Sequence, residues 1–202
     1  MRRNFLHLDE RGNAILEFAI CLPVLVMALL TAISGGMWFD RYMTIVQVGR
    51  NSAAMFSRGM NFSIDANKDL MLLAAADLQI NKTGGAGVIY LSRVVQAPPG
   101  SANDGSLVVA ERFVIGDPNF KPSTIATPAS SIWPDPDVPG PTGDVKDYQE
   151  EASAVANVPS SLTTLPLGER MFVSEVYHDA GDLNFGSPII GDELVLRNIT
   201  YY

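Results

Sequence analysis

A run of 22 residues without a charged side chain, Phe18–Phe39, constrains this chain more than any other feature of its sequence. As an α-helix, the run would extend about 33 Å at about 1.5 Å per residue, enough to cross the roughly 30 Å hydrocarbon core of a bilayer. The sequence therefore predicts one transmembrane helix over 18–39. The residues that follow are numerous enough to form one domain of modest size.

Charges on either side of the run predict its orientation. Three arginines lie within the first 12 residues, whereas only Arg41 lies close after the run, next to Asp40. Basic residues beside a membrane helix favour the cytoplasmic side. We therefore expect residues 1–12 to form a cytoplasmic leader and residues 60–202 to form an extracytoplasmic head.

The head carries the acidic excess of the chain. The net charge is −8, and the first 39 residues hold three basic and three acidic side chains, so the excess lies after Phe39. A surface that binds the nucleic-acid backbone is basic, so nucleic acid is not an expected partner. Cys21 is the only cysteine and lies inside the apolar run, which excludes a disulfide framework or a thiolate metal cluster.

Glu17 is the unusual residue at the beginning of the apolar run. A carboxylate within a membrane helix costs about 2.5–3.5 kcal/mol, so it is usually paired or functional. If the chain is cut after Gly12, the new amine of Asn13 lies one helical turn from Glu17. The positive end of the helix dipole would also face this carboxylate. Cleavage after Gly12 would therefore supply the missing positive charge.

Three other interpretations of this segment compete with that cleavage. A secretory signal could be cut before Gly35, although the apolar run is long for one. An uncleaved membrane anchor fits the length but leaves Glu17 unexplained. A lipoprotein signal would use Cys21, yet Ile20 stands where a small residue is needed.

The N-terminal stretch RGNAILEFAICLPVLVMALL resembles a known family. Gly12, followed after four residues by Glu17 and Phe18, is similar to the processing motif of type IV pilins and pseudopilins. The wider stretch, with Pro23 after a leucine, resembles more narrowly the TadE/TadG-like pseudopilins of the tight-adherence (Flp) pilus. The resemblance covers about the first 45 residues.

This resemblance implies positions for processing and docking. Gly12 would precede the bond cut by a prepilin peptidase, and Asn13 would be the first mature residue. Glu17 and Phe18 would serve processing or docking between helices. Pro23 lies inside the membrane helix, where it is tolerated and would kink it.

The resemblance also implies a function: a minor pseudopilin, a structural component of a pilus or a related secretion apparatus, in the bacterial cytoplasmic (inner) membrane. Its partners would be other pilin subunits, inner-membrane assembly proteins and the peptidase. The alternative is an uncleaved single-pass envelope protein whose head binds a ligand.

Beyond the apolar run, the spacing of apolar residues stays helical to about Arg58, which predicts one long helix over 13–59. Gly49 and Gly59 are the candidate weak points, and Gly59 is favoured as the end. A second helix is predicted over Asn67–Ile80, with its cap near Asp65 or Asn67.

The remainder predicts an α+β head with four antiparallel strands. The predicted strands are Val88–Gln96, Leu107–Ile115, Arg170–His178 and Glu193–Tyr201. Residues 117–143 hold seven prolines and predict an extended loop, and a short helix is expected over 144–156. Trp133 in this loop could anchor a partner or pin the loop to the head, and the second interpretation is favoured.

Catalytic and metal-binding motifs are weak. His7 and His178 are far apart, and no nucleophile elbow or phosphate-binding loop occurs. Asp65, Asn67 and Asp69 have the opening spacing of a calcium loop, but a leucine replaces the required glycine. We therefore expect no enzyme activity, no cofactor and no bound metal.

Overall fold

The computed structural model describes residues 10–137, 142–162, 165–181 and 195–202, with side chains from Ala14 onward. Most of the predicted leader, together with Glu193 at the start of the fourth predicted strand, lies outside the described residues.

One helix, α1, covers Glu10–Ser57 and includes Pro23. It continues through Gly49 and ends before Gly59, whose φ of +84° suits a residue without a side chain. Gly59 N donates to Phe56 O at 2.9 Å and Met60 N donates to Met55 O at 3.1 Å. This pair of bonds is a Schellman motif, and it satisfies carbonyls that the last helical turn leaves free.

A four-stranded antiparallel sheet follows, and the predicted α+β fold is confirmed. The strands are β1 (Gly87–Gln96), β2 (Leu107–Gly116), β3 (Arg170–Asp179) and β4 (Val195–Tyr201), in the spatial order β2-β1-β3-β4. β1 pairs with both β2 and β3, and β3 pairs with β4. Three strands match their predicted bounds to within one residue at either end.

The second helix, α2 (Asp65–Ala74), is shorter than predicted and is followed by a 3₁₀ turn at Ala76–Leu78. The chain breaks the helix at Ala75, and Gln79 adopts a left-handed φ of 51°. The predicted cap is wrong, because Ile64 occupies the cap position and makes no side-chain cap bond. Asp65 instead places its charge in the first turn, where the helix dipole favours it.

The sheet lies between two layers. α1 packs on β3 and β4, and a continuous apolar core joins α1, α2 and one face of the sheet. The buried members of this core include Ile45, Phe56, Met71, Leu91 and Ile115. The opposite face of the sheet is covered by the long connection between β2 and β3, which forms a second core.

The predicted helix over 144–156 is wrong. Val145 N donates to Ala110 O at 3.1 Å, and Ala156 N donates to Leu107 O at 2.7 Å, so both ends of this segment pair with the edge of β2. Turns and a short 3₁₀ piece at Ala152–Ala154 join them. An exposed strand edge offers backbone partners that outweigh a weak helical preference.

The proline-rich loop is folded against the sheet. Ile125 and Ile132 are buried in the second core. Trp133 is half-buried and its Nε1 donates to Arg112 O at 3.1 Å. These contacts support the interpretation that Trp133 pins the loop to the head.

Candidate functional site

The N-terminal half of α1, Ala14–Asp40, stands clear of the head and forms the bare half of this helix. From Ala14 to Asp40 every side chain is exposed except Ser34, and large apolar groups such as Ile15 and Phe18 are 72% and 62% exposed. The helix Ala14–Ser57 contains an 18-residue window of mean hydropathy 2.4, long and apolar enough to cross a membrane. So much exposed apolar surface is unfavourable in water, so lipid or other helices are its natural surroundings.

The residues predicted for processing lie next to one another in α1, just before Ala14 and at the start of the exposed segment. Gly12 and Asn13 have helical backbone within α1. Glu17 follows one turn later and is exposed, as is Phe18.

Pro23 lies in the interior of α1. Without a backbone N–H, it leaves the carbonyl of Ala19 without its helical donor. The predicted kink stays a prediction.

The second half of α1 is fixed to the head by a close approach at Gly49. A Cβ at this position would lie 2.5 Å from Asn198 Nδ2 and 3.1 Å from Thr200 Oγ1 of β4. Next to it, the buried hydroxyls of Ser52 and Ser174 are 2.8 Å apart. Gly49 is therefore a packing position and not the weak point considered from the sequence.

Aromatic rings pack around the C-terminal end of α1. The ring of Phe56 packs edge to face against Phe172 at 5.2 Å, Phe113 at 5.7 Å and Phe62 at 6.2 Å between centroids. Such pairs each contribute about 0.5–1.5 kcal/mol beyond area burial. Together with the close approach at Gly49, they hold the second half of α1 against the head.

A buried polar network on the opposite face of the sheet escaped the sequence analysis. Glu175 is fully buried and accepts hydrogen bonds from Ser123 Oγ, from both the N–H and the hydroxyl of Thr124, and from Tyr177 OH. Arg112, only 3% exposed, donates through Nη2 to Ser123 Oγ at 2.9 Å. Ser123 therefore bridges the buried guanidinium and the buried carboxylate.

Burial shifts the titration of this network. Burial lowers the pKa of Arg112 to about 10, opposed by the charge of Glu175. Burial likewise raises the pKa of Tyr90 and of Tyr177 to about 12. The Arg112 guanidinium lies 5.6 Å from the ring centre of Tyr90, which adds a cation–π contact.

The partners of these groups come from the proline-rich loop and the sheet. Arg112 also donates to Ser92 Oγ and to Ala126 O, and Tyr90 OH donates to Lys121 O at 2.7 Å. Each of these bonds joins a strand either to the loop or to a neighbouring strand. The arrangement therefore holds the loop on the sheet.

The two aspartates of the segment considered as a calcium loop are engaged with lysines. Asp69 lies 2.9 Å from Lys82 Nζ, and Asp65 lies 3.6 Å from Lys68 and 4.0 Å from Lys82. Across the described ranges, no group of three or more His, Cys, Asp or Glu side chains is placed to hold a metal ion.

Comparison with known proteins bears on the N-terminal helix. The family model of TadE-like proteins matches residues 12–54, which confirms the resemblance found in the N-terminal sequence. The match begins at Gly12 and includes both the bare half of α1 and most of the half packed on the head. No curated protein and no solved structure matches the chain. A TadE-like segment suggests a component associated with the tight-adherence (Tad) pilus and with a membrane.

Proposed function

We propose that this chain is a minor pseudopilin, a non-catalytic structural component of a tight-adherence (Flp) pilus or a related secretion apparatus. One observation carries the proposal: a single helix joins an exposed apolar half to a half that is packed on a folded head. The TadE-like match over 12–54 covers that same helix.

Processing is the first step of the proposed function. A prepilin peptidase removes residues 1–12 on the cytoplasmic side of the inner membrane, and the head lies on the extracytoplasmic side. Asn13 and Glu17 lie about one turn apart in α1, which supports this step because the new amine would lie close to that carboxylate.

Docking through Glu17 is the second step. Glu17 is exposed on the bare helix, so its carboxylate is available to a neighbouring subunit. A charge buried unpaired in a membrane or helical bundle is costly, whereas pairing with the amine of Asn13 on a neighbour relieves that cost. The pairing fixes the axial register between helices, and no cofactor is needed.

The N-terminus of the mature protein tests this proposal. Intact mass and N-terminal sequencing are measured on the protein from its native membrane, for the wild type, a Gly12→Trp variant and a Gly36→Trp control. Gly36 is a matched control in the same helix, because an added Cβ there has nothing within 4 Å.

We expect the wild type and the Gly36→Trp control to begin at Asn13, and the Gly12→Trp variant to keep its leader. If all three begin at Met1, the protein is an uncleaved single-pass envelope tether. A mature start near Gly35 would identify a conventionally secreted domain and refute the role of Glu17.

A further inference from the structure

The outward face of α1 above the membrane, with Arg58 directly after the helix, carries positive charge. Its outer stripe consists of Met43, Gln47, Arg50, Asn51, Ala54 and Arg58, which recur at helical spacing. Arg50 and Arg58 are exposed, and the segment from 43 to 58 has no acidic residue. Among the described residues, no ion pair joins Arg50 or Arg58 to a carboxylate.

A surface of opposite charge lies along the far edge of the sheet. This acidic edge borders a cavity of about 520 Å³ beside β2 and contains Asp135, Asp137, Asp144, Asp147 and Glu150. Two basic residues also line the cavity, but both are engaged. Lys146 Nζ lies 2.5 Å from Asp137 Oδ2, and Arg93 Nε lies 2.9 Å from Glu111 Oε2. Asp135, Asp147 and Glu150 form no ion pair among the described residues.

These two surfaces lie on opposite sides of the head at the same level along α1. A row of neighbouring residues crosses the head from one to the other: Phe56, Phe172, Arg93, Glu111 and Asp144. α1 lies over β3 and β4, whereas β2 forms the other edge of the sheet. With strands about 4.8 Å apart, β2 lies roughly 14 Å from β4.

We propose that the outer stripe of one copy docks on the acidic edge of a second copy of this chain in the same membrane. The opposite charges of the two surfaces identify the occupant. Because both copies are anchored in the membrane in the same orientation, their heads lie at the same height. Rotation of one copy about the membrane normal can then bring its outer stripe against the acidic edge of the other. Such a contact is heterologous, because each copy keeps a free stripe and a free edge for further copies.

This inference rests on the membrane anchor in the proposed function, but it does not require removal of the leader. A chain that keeps residues 1–12 presents the same two surfaces. Leader cleavage and docking can therefore be measured separately on one sample.

Cross-linking of the full-length chain in membranes tests the contact. In a Cys21→Ser background, one tagged copy carries Ala54→Cys in the outer stripe, and a differently tagged copy carries Gln149→Cys beside the acidic edge. Both substitutions leave the charges unchanged. A short bismaleimide should give a product that contains both tags.

Asn119→Cys in place of Gln149→Cys is the matched control. Asn119 is exposed and uncharged, and its loop lies near Gly87 at the other end of β1. We expect little product with this control. An equal yield from the control, or a product joining only two Ala54→Cys copies, would overturn the heterologous contact.

Charge reversal distinguishes docking from chance collision. Arg50→Glu with Arg58→Glu in the stripe copy should lower the cross-linked fraction about tenfold, since like charges then face each other. Asp147→Lys with Glu150→Lys in the other copy should restore it. An unchanged yield, failed restoration or cross-linking of the stripe only to a different protein would each refute the second copy as occupant.

The same samples report the N-terminal residue. Cross-linking with a start at Met1 would support docking while the pseudopilin proposal fails. A start at Asn13 without cross-linking would refute docking while leaving the pseudopilin proposal standing.

Discussion

Replacing Glu175 by alanine should lower the free energy of unfolding of the head by about 3–5 kcal/mol, the usual cost of breaking a buried charge pair. Glu175 is fully buried, and Arg112 on the other side of Ser123 is 3% exposed. The substitution removes the acceptor for Thr124 and Tyr177 and leaves the guanidinium without its counter-charge. For a domain of this size, about 2–4 °C per kcal/mol predicts a fall in Tm of roughly 6–20 °C.

Thermal unfolding of the full chain in detergent micelles, followed by near-ultraviolet circular dichroism, measures this loss. Glu169→Ala is the matched control, because Glu169 is an exposed carboxylate one residue before β3 and should cost less than about 0.5 kcal/mol. The double variant Arg112→Leu with Glu175→Leu should recover part of the loss, since neither buried charge then remains unpaired. If Glu175→Ala and Glu169→Ala unfold at the same temperature, the network does not stabilise the head and the reasoning is refuted.

Three further predictions test the core, the tyrosines and the membrane helix. Phe56→Ala should destabilise the head by about 3–5 kcal/mol in chemical unfolding, whereas Phe18→Ala, in the bare half of α1, should leave that value unchanged. Burial raises the pKa of Tyr90 and of Tyr177 to about 12. Their contribution to stability is therefore complete below pH 10 and is lost as the pH rises from 10 through 12. Replacing either tyrosine by phenylalanine should weaken this pH dependence, measured as the free energy of unfolding in an alkaline titration. Glu17→Gln should lower co-purification of partner subunits after mild extraction about tenfold, with the Tm of the head unchanged; equal co-purification would contradict the docking role.

Much of the fold was accessible from the sequence because it depends on local patterns. The strands β1, β2 and β3 are short runs of β-branched and aromatic residues bounded by turn residues, so their bounds were predicted closely. The prediction of a helix over 144–156 was wrong because the local pattern suggested a helix, whereas the backbone of this segment pairs with β2. Local preference could not reveal that a strand edge needed partners.

The candidate site likewise has features that the sequence predicted and features that it did not. The predicted processing position at Gly12 and the charge at Glu17 are signals carried within a few residues, and both residues lie on α1. The importance of Gly49 could not be seen, since its close neighbours Asn198 and Thr200 come from the last strand. A small residue three positions away, Ser52, was the only signal for such an approach.

The sequence by itself determined the apolar span, the long helix that ends before Gly59 and the alternation of the strands, because each arises from residues near one another along the chain. Only the tertiary structure decided which distant groups meet. Ser123 and Glu175, 52 positions apart, share a buried hydrogen bond because a loop folds over the sheet. The outer stripe and the acidic edge lie at the same level of the head because strand order and packing place them there. Local sequence does not determine strand order or packing.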